Sequence, residues 1–272
     1  MTAHPKTILD SYGLEPKKSL GQNFLFDENV LARIVDAADL QPNDEVLEIG
    51  PGLGSLTRQL ASRAKRVVAV ELDGRMISAL QDELADLENV EIVHGDILEQ
   101  DPAALFEGPY KVVANVPYYI TGAILRHLLS GDHKPSEIVL TVQKEVAERL
   151  KAEPPNMSLL AVSVLYYGEV ERVATIKAGA FWPRPDVDSA VIKIEVRPQT
   201  EFKAEQERAF FKLVRAGFSQ KRKQLQKNLR QLGFDRTAVA AALEEANIDG
   251  TRRAETLTLD EWQALAGVFE AT

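Results

Sequence analysis

The chain of 272 residues contains no cysteine and only four histidines. Without cysteine it has no disulfides, no thiolate metal ligands and no cysteine nucleophile. The histidines show no metal-ligand spacing, so we expect no structural metal; they are His4, His94, His127 and His133. The chain also lacks any apolar run near the roughly 18 residues of a membrane-spanning helix, and no signal-peptide pattern opens it. We expect a cytoplasmic protein that does not enter a membrane.

Basic residues are fewer than acidic ones: the chain has 32 Lys and Arg against 41 Asp and Glu, which gives a formal net charge of −9. This balance argues against a surface that binds nucleic acid over its whole area. Residues 208–234 are the exception: they hold eight basic residues and no acidic one, so removing these eight positive charges leaves −17 for the remainder. Their densest part is Lys221, Arg222 and Lys223. Such a run is usually a solvated helix face, but in this setting it also fits a local phosphate-binding patch.

Five apolar runs rich in Val and Ile indicate a parallel sheet. They begin 20 to 27 residues apart, at positions 45, 66, 90, 110 and 137. Continuous runs of this kind are typical of strands buried on both faces, and the amphipathic stretches between them suit crossover helices. The pattern predicts an α/β fold with a Rossmann-like sheet, whose ligands bind at the carboxyl ends of the strands.

The flanking segments complete the predicted organisation. Asp27 can cap a helix with one apolar face, so residues 1–40 are expected to form an N-terminal lid or packing segment. Residues 169–176 and 189–196 resemble a closing, hairpin-like pair of strands. Helical periodicity from 205 to 231, followed by shorter helices, predicts a small all-α domain. We therefore expect a catalytic domain at 1–198 and a helical domain at 199–272.

A glycine-rich turn follows the first predicted strand, where residues 48–54 read Glu-Ile-Gly-Pro-Gly-Leu-Gly. Glycines at such a place let a ligand approach the backbone at a helix N-terminus, although the same turn can simply be a tight bend. A dinucleotide fingerprint would need glycine where Ser55 stands, and no P-loop lysine follows. The spacing therefore favours neither a nicotinamide cofactor nor a nucleoside triphosphate.

Acidic side chains end the second and third predicted strands. Glu71 lies where a carboxylate can accept both hydroxyls of a ribose. Asp96, after Gly95, can accept a hydrogen bond from an exocyclic adenine amine, or can cap the helix that starts at Ile97. Each residue has an ordinary structural explanation by itself. Together with the glycine turn they indicate a cofactor that contains adenosine.

The fourth predicted strand ends in Asn115-Val116-Pro117-Tyr118. The asparagine side chain and a main-chain carbonyl can accept hydrogen bonds from an amine, proline fixes the turn, and tyrosine offers a stacking face. The tetrapeptide fits a planar nucleobase amine. A proline-terminated strand with tyrosines in the core fits it equally well.

Several ordered blocks resemble the ribosomal RNA adenine dimethylases, most closely their bacterial small-subunit members. The blocks are residues 22–25, 48–54, 71, 95–96, 115–118, 181–189, 218–223 and 253–257. They span nearly the whole chain. Val116 replaces the leucine or isoleucine typical of its position, which is a conservative change.

For the cofactor, the resemblance implies S-adenosylmethionine, with Asn23 and Leu25 over its methionine end and Gly50 against its backbone. Glu71 is then expected to hold the ribose and Asp96 to bind the adenine.

For the reaction, the resemblance places Asn115 between the methyl group and the target adenine amine. Hydrogen bonds from that amine to Asn115 and to the Pro117 carbonyl would localise the nitrogen lone pair. Tyr118 and Phe181 are expected to flank the flipped base, and Lys221, Arg222 and Lys223 to contact RNA. For Phe181, a place in the core is the alternative.

The resemblance also implies a substrate: two adjacent adenosines in the 3′-terminal hairpin loop of 16S rRNA, in a partly assembled small ribosomal subunit. We expect the enzyme to be a monomer. Three alternatives stay open. One is a large-subunit rRNA dimethylase of the macrolide-resistance type, and another is a non-catalytic RNA-binding or ribosome assembly factor. The third, a nicotinamide-dependent dehydrogenase, is disfavoured by Ser55.

Overall fold

The computed structural model describes residues 4–198 and 203–271. Its main sheet has seven strands in the order β4-β3-β2-β5-β6-β9-β7, and β1 pairs with β8 in a separate two-stranded sheet. The strands are β1 (Phe24–Leu25), β2 (Glu45–Ile49), β3 (Arg66–Glu71), β4 (Val90–His94), β5 (Tyr110–Asn115), β6 (Glu137–Gln143), β7 (Gly168–Ile176), β8 (Phe181–Trp182) and β9 (Ser189–Val196).

The five predicted strands are present as β2 to β6, and neighbouring strands among them run parallel. The expectation that all five are buried is wrong for β4, which lies at the edge of the sheet and has no buried residue. β9 lies antiparallel to β6, and β7 lies beyond it at the edge, so the predicted closing pair is also adjacent. The strand order reverses at β2, which has β3 on one side and β5 on the other. Open α/β sheets bind ligands at such a reversal, outside the carboxyl ends of the strands.

The helices around this sheet begin with a short N-terminal helix that packs on the core through Ile8 and Leu9. Asp27 caps the second helix by accepting hydrogen bonds from the N–H groups of Asn29 and Val30, as predicted. The helices are α1 (Pro5–Ser11), α2 (Glu28–Ala37), α3 (Ser55–Ala61), α4 (Ile77–Glu83), α5 (Pro102–Leu105), α6 (Thr121–Ser130) and α7 (Lys144–Leu150).

The chain divides into two compact units, and the second takes residues 148–168 as well as residues from 197 onward. The sequence prediction of a boundary near 198 therefore falls close to the observed one, but it assigned 148–168 to the first domain. The helix in this insertion, α8 (Leu159–Tyr167), carries Ala161 and Val162 in the core of the second unit. It is apolar on every side, so its sequence pattern does not indicate which face packs against which partner.

The second unit is helical, as predicted. Its other helices are α9 (Ala204–Gly217), α10 (Leu225–Leu229), α11 (Arg236–Glu245) and α12 (Leu259–Ala271). The helix predicted over 205–231 is interrupted after Gly217, where a Cβ atom would lie 2.3 Å from the buried Trp262 ring. The buried Asn228 donates hydrogen bonds to the carbonyls of Gly217 and Gln220, which holds the intervening turn. None of the helices within the described residues is long and apolar enough to span a membrane.

Candidate functional site

A cavity lies at the carboxyl ends of β2, β3, β4 and β5 in the first unit. Its volume is about 1100 Å³, counting the part that is open to solvent. The cavity brings together eight of the residues predicted from the sequence: Asn23, Leu25, Gly50, Glu71, Asp96, Asn115, Pro117 and Tyr118.

The glycine turn forms one wall of this cavity. Gly50 has a φ of +67°, a backbone conformation that side chains disfavour. A Cβ atom added at Gly50 would meet nothing within 4 Å, so the space beside its backbone is open. Gly50 also donates its N–H to the carbonyl of Val70 at 2.9 Å, which joins the turn to β3. The turn therefore allows a ligand to approach the main chain closely.

Glu71 ends β3 and connects two loops of the cavity. One carboxylate oxygen accepts the N–H of Gly52 at 3.0 Å, and the other accepts the N–H of Asp73 at 2.8 Å. Burial raises the pKa of Glu71, and the two backbone hydrogen bonds oppose that increase. Since each carboxylate oxygen has more than one lone pair, these bonds leave acceptor capacity for ligand hydroxyls.

Glu48 lies at the end of β2, and its place in the glycine motif did not by itself indicate a role. Its side chain lines the cavity and is only 1% exposed. Among the described residues, its Oε2 has no hydrogen-bond partner. Burial raises the pKa of Glu48 to about 8, and the neighbouring Glu71 adds to the increase. Burial of Glu48 thus favours its protonated form near neutral pH.

Asp96 caps a short helix and also lines the cavity. Its Oδ1 accepts the N–H of Leu98 at 2.9 Å, so it caps the short 3-10 helix Ile97–Glu99. The residue also lines the cavity, and Gly95 beside it donates to the carbonyl of Glu71. The helix cap that the sequence left as an alternative is therefore formed. The second carboxylate oxygen of Asp96 can still accept a hydrogen bond from an amine.

Asn115 ends β5, and its side-chain orientation is set by a bond to a distant segment. The Asn115 Nδ2 donates to the main-chain carbonyl of Asn23 at 3.2 Å. Because a carbonyl can only accept, the amide nitrogen must face Asn23, and Oδ1 is the atom that can accept from a ligand. The Pro117 carbonyl accepts the N–H of Ile120 at 3.2 Å and retains a second lone pair.

Two tyrosines follow Pro117, and they have different surroundings. The Tyr118 hydroxyl and the buried Ser189 hydroxyl share a hydrogen bond of 2.6 Å, which orients the half-buried Tyr118 ring. Burial raises the pKa of Tyr118. Tyr119 lies at the cavity and is 65% exposed.

Phe181 is not brought into the cavity. It is 3% exposed and packs in the same core cluster as Leu25, its neighbour across β1 and β8. The structure therefore shows the core aromatic that the sequence left as an alternative, and not the predicted stacking residue beside Tyr118. A base could reach the Phe181 ring only if the surrounding side chains moved.

The segment that carries Asn23 is fixed by contacts that the sequence did not reveal. The Gln22 side-chain amide donates to the buried Asp73 at 3.0 Å, and the Gln22 oxygen accepts the N–H of Lys17 at 2.7 Å. Arg75 forms an ion pair with Asp73 and lowers the pKa of that carboxyl to about 2. Gln22 and Asp73 thus link the segment over the cavity to the loop after Glu71.

The predicted cationic patch lies in the second unit. All eight basic residues of segment 208–234 are exposed, and none of them forms an ion pair with a described residue. Lys221, Arg222 and Lys223 lie in the turn between α9 and α10, which Asn228 holds, and not on a helix face. The patch is thus available to a polyanion.

Comparison with known proteins decides the family. The model of the family described as ribosomal RNA adenine dimethylase matches residues 13–269. The chain belongs to the ribosomal RNA adenine dimethylase family.

Individual relatives agree with this assignment. The chain is 44% identical over 272 residues to a ribosomal RNA small subunit methyltransferase A of Dehalococcoides mccartyi, covering 99% of this chain and 94% of the relative. It is 46% identical to the protein of the same name from Lactiplantibacillus plantarum, covering 97% and 93%.

Solved structures support the same family assignment. The fold is similar to the 23S rRNA methyltransferase ErmE, with a TM-score of 0.73, 30% identity, and coverage of 91% of this chain and 100% of that one. It is also similar to a dimethyladenosine transferase from Plasmodium falciparum, with a TM-score of 0.77, 27% identity, and coverage of 91% and 98%.

The predicted family, fold class, activity and cofactor are therefore confirmed. The chain is an S-adenosylmethionine-dependent methyltransferase that dimethylates adenine in ribosomal RNA. Family membership excludes the nicotinamide-dependent dehydrogenase that the sequence had left open. The cavity fits this cofactor, because it offers an open glycine turn, a carboxylate on β3 and a buried acid with an unused oxygen.

Proposed function

We propose that this enzyme transfers methyl groups to N6 of two adjacent adenosines in the 3′-terminal hairpin loop of 16S rRNA, within a partly assembled small ribosomal subunit. The observation that carries the chemistry is the hydrogen bond from Asn115 to the Asn23 carbonyl, because it leaves Asn115 Oδ1 as an acceptor at the cavity. Relatives that are 44% and 46% identical and named small-subunit methyltransferases support the choice of subunit. The 23S rRNA methyltransferase ErmE, at 30%, is less similar.

For the cofactor, we assign the walls of the cavity to separate parts of S-adenosylmethionine. Glu71 holds the ribose hydroxyls, Asp96 binds the adenine, and Gly50 lies against the methionine portion. Asn23 and Leu25 cover that portion from the other side. The bound cofactor supplies an electrophilic methyl group on a cationic sulfur.

For methyl transfer, the protein must make the target adenine amine a better nucleophile. The lone pair of adenine N6 is delocalised into the ring, so the unaided amine reacts slowly. Asn115 Oδ1 and the Pro117 carbonyl accept hydrogen bonds from the amine, which localises the lone pair and directs it towards the methyl group. Most of the rate then comes from alignment, because no strong base is needed for this step.

For the base, Tyr118 is the stacking residue that the structure supports. Its ring is held by Ser189 and lies next to the Asn115 and Pro117 acceptors in sequence and in the cavity. An unpaired loop adenosine leaves its stack at lower cost than a paired one, which suits a hairpin loop. Phe181, as placed, contributes by holding β1 and not by contacting the base.

For RNA docking, we assign Lys221, Arg222 and Lys223 to phosphate contacts. The rest of the chain is acidic, so a polyanion is attracted locally and repelled elsewhere. Docking then depends on shape as well as charge, which favours a structured subunit over free RNA. We propose that the enzyme acts as a monomer in the cytoplasm, where such subunits are assembled.

The proposal is tested by comparing labelled methyl transfer on purified small subunits, large subunits and naked 16S RNA, with nucleosides identified by mass spectrometry. We expect dimethyladenosine predominantly in the small-subunit RNA. Predominant labelling of large-subunit RNA would instead assign the chain to the macrolide-resistance type.

A further inference from the structure

Tyr119 is the most exposed aromatic side chain among the described residues, at 65%, and it lies at the edge of the catalytic cavity. Its neighbour Tyr118 is tied to Ser189 by a hydrogen bond. Tyr119 follows Tyr118 in the short 3-10 helix Tyr118–Ile120, so both rings belong to one turn. An aromatic ring exposed beside an active site has a large surface that a planar ligand can cover.

The position of Tyr119 is restricted by the backbone of the segment over the cavity. A Cβ atom on Gly21 would lie 3.3 Å from Tyr119 Cε1 and 3.1 Å from Pro117 Cβ. Gly21 has a φ of +62° and is therefore suited to this close approach. One edge of the Tyr119 ring rests on the backbone at Gly21, so the ring is supported although most of it is exposed.

The segment that supports this ring also carries an exposed lysine. Lys18 is exposed, and its carbonyl accepts the N–H of Gly21 at 3.0 Å. A supported aromatic ring beside a segment that carries an exposed lysine suits single-stranded nucleic acids, which bind through base stacking and phosphate contact.

We propose that Tyr119 stacks on the unpaired nucleobase next to the adenosine that occupies the cavity. The target amine must reach Asn115 and Pro117, so the target base lies inside and beside Tyr118. A base that leaves its stack exposes one face of its neighbour, and Tyr119 covers that face at the cavity edge. This inference rests on the proposed function. It explains how two adjacent adenosines can be presented in turn to a single cavity, since the waiting base has a binding position of its own.

The experiment uses small subunits that lack the modification, together with an RNA hairpin that carries 2-aminopurine beside a loop adenosine. We expect Tyr119→Ala to raise the KM for subunits about tenfold with kcat changed less than threefold, because stacking is lost and the chemistry is untouched. Tyr119→Phe should behave like the wild type. The fluorescence of 2-aminopurine should be quenched on binding to the wild type and to Tyr119→Phe, but not to Tyr119→Ala.

Two controls test whether the effect is specific to Tyr119 and to RNA binding. Val173→Ala removes another exposed apolar side chain from β7, away from the cavity lining, and should change nothing. Calorimetry should show the same affinity of Tyr119→Ala for S-adenosylmethionine as that of the wild type.

The inference is overturned if Tyr119→Ala keeps the wild-type KM, or if Tyr119→Phe is as impaired as Tyr119→Ala, since stacking does not need the hydroxyl. It is also overturned if the quenching is unchanged in Tyr119→Ala. These outcomes leave the proposed function intact as long as the wild type forms dimethyladenosine in small subunits. Failure of the wild type to do so is the separate result that rejects the proposed function.

Discussion

The side-chain amide of Asn115 donates a hydrogen bond to the main-chain carbonyl of Asn23 at 3.2 Å, joining two segments that are 92 residues apart. Asn23 in turn donates from its own side chain to the Gly21 carbonyl at 3.0 Å. The segment over the cavity and the strand end that is proposed to activate the target amine are thus held by one another. In the proposed mechanism, cofactor binding and amine activation therefore depend on the same contact.

The first prediction concerns this asparagine. Asn115→Ala should lower the single-turnover rate on small subunits by about 100-fold, because the acceptor for the amine is lost while the cavity remains. The affinity for RNA should stay within about threefold, since the side chain is proposed to contact the amine and not phosphate. Rapid-quench kinetics at saturating cofactor and a filter-binding assay measure the two quantities. A near wild-type rate would show that Asn115 does not activate N6.

The second prediction concerns the link between Gln22 and Asp73. Gln22→Ala should weaken S-adenosylmethionine binding by about fivefold, because one hydrogen bond to a charged partner fixes the segment over the cavity. Combined with Asp73→Asn, the effects should not add, giving an interaction energy of at least about 0.5 kcal/mol. Calorimetry on both single variants and the double variant measures this. Glu71→Ala is expected to weaken S-adenosylmethionine binding about ten- to a hundredfold and serves as the reference for a large effect. Glu88→Gln, at an exposed acidic residue, is the matched control and should leave binding unchanged.

Additive effects of Gln22→Ala and Asp73→Asn would show that the two residues act independently. The link would then be incidental to cofactor binding.

The third prediction is a pH dependence that comes from Glu48. Burial raises the pKa of Glu48 from its ordinary value near 4.5 to about 8, so the folded state keeps a proton that the unfolded chain has lost. The free energy of unfolding should therefore fall, relative to that of Glu48→Gln, as the pH rises from about 5 to 8, by about 1.4 kcal/mol per pH unit. Below about pH 4.5 the contribution is fully present.

Urea unfolding of both proteins without cofactor, at several pH values, tests this. Comparing the two proteins cancels the titration of shared groups that do not interact with Glu48; Glu71, which does interact with it, is the exception. Parallel pH profiles for the wild type and Glu48→Gln would show that Glu48 does not titrate in this range.

Several parts of the fold and site followed from the sequence because they depend on local patterns. The buried strands appear as Val- and Ile-rich runs, and parallel strands place their ends together, which predicted the meeting of Gly50, Glu71, Asp96 and Asn115. The Asp27 cap is likewise a local signal.

Other features depend on contacts between residues that are far apart in sequence. Gln22 and Asp73 are separated by 51 positions, and nothing local marks either residue as the partner of the other. Phe181 stands beside a proline-rich loop, and nothing in its local sequence shows that the pairing of β1 with β8 places its ring in the core. The sequence did not place α8 in the second unit for a related reason, because a helix that is apolar on all sides does not show which core it joins.

The fourth prediction concerns the exposed cations. Replacing Lys221, Arg222 and Lys223 by alanine should weaken RNA binding uniformly across sequences. For single-stranded RNA, each lost phosphate contact should reduce the slope of log K against log salt by about 0.7. Fluorescence anisotropy at several salt concentrations measures the slope.

The matched control for this variant removes three other exposed cations, Lys6, Arg33 and Arg172, so the change in net charge is the same. Equal changes of slope in both triple variants would show that the effect comes from the change in net charge and not from phosphate contacts of Lys221, Arg222 and Lys223. An unchanged slope in the first variant would leave its three residues without contacts to phosphate.

The most direct test of the central claim is nucleoside mass spectrometry of 16S rRNA from small subunits that lack the modification, after incubation with the enzyme and S-adenosylmethionine. We predict two adjacent N6,N6-dimethyladenosines in the 3′-terminal hairpin loop with the wild type, and almost none with Asn115→Ala at the same time point. A product that stops at monomethyladenosine, methylation at another position, or equal product from both proteins would contradict the account.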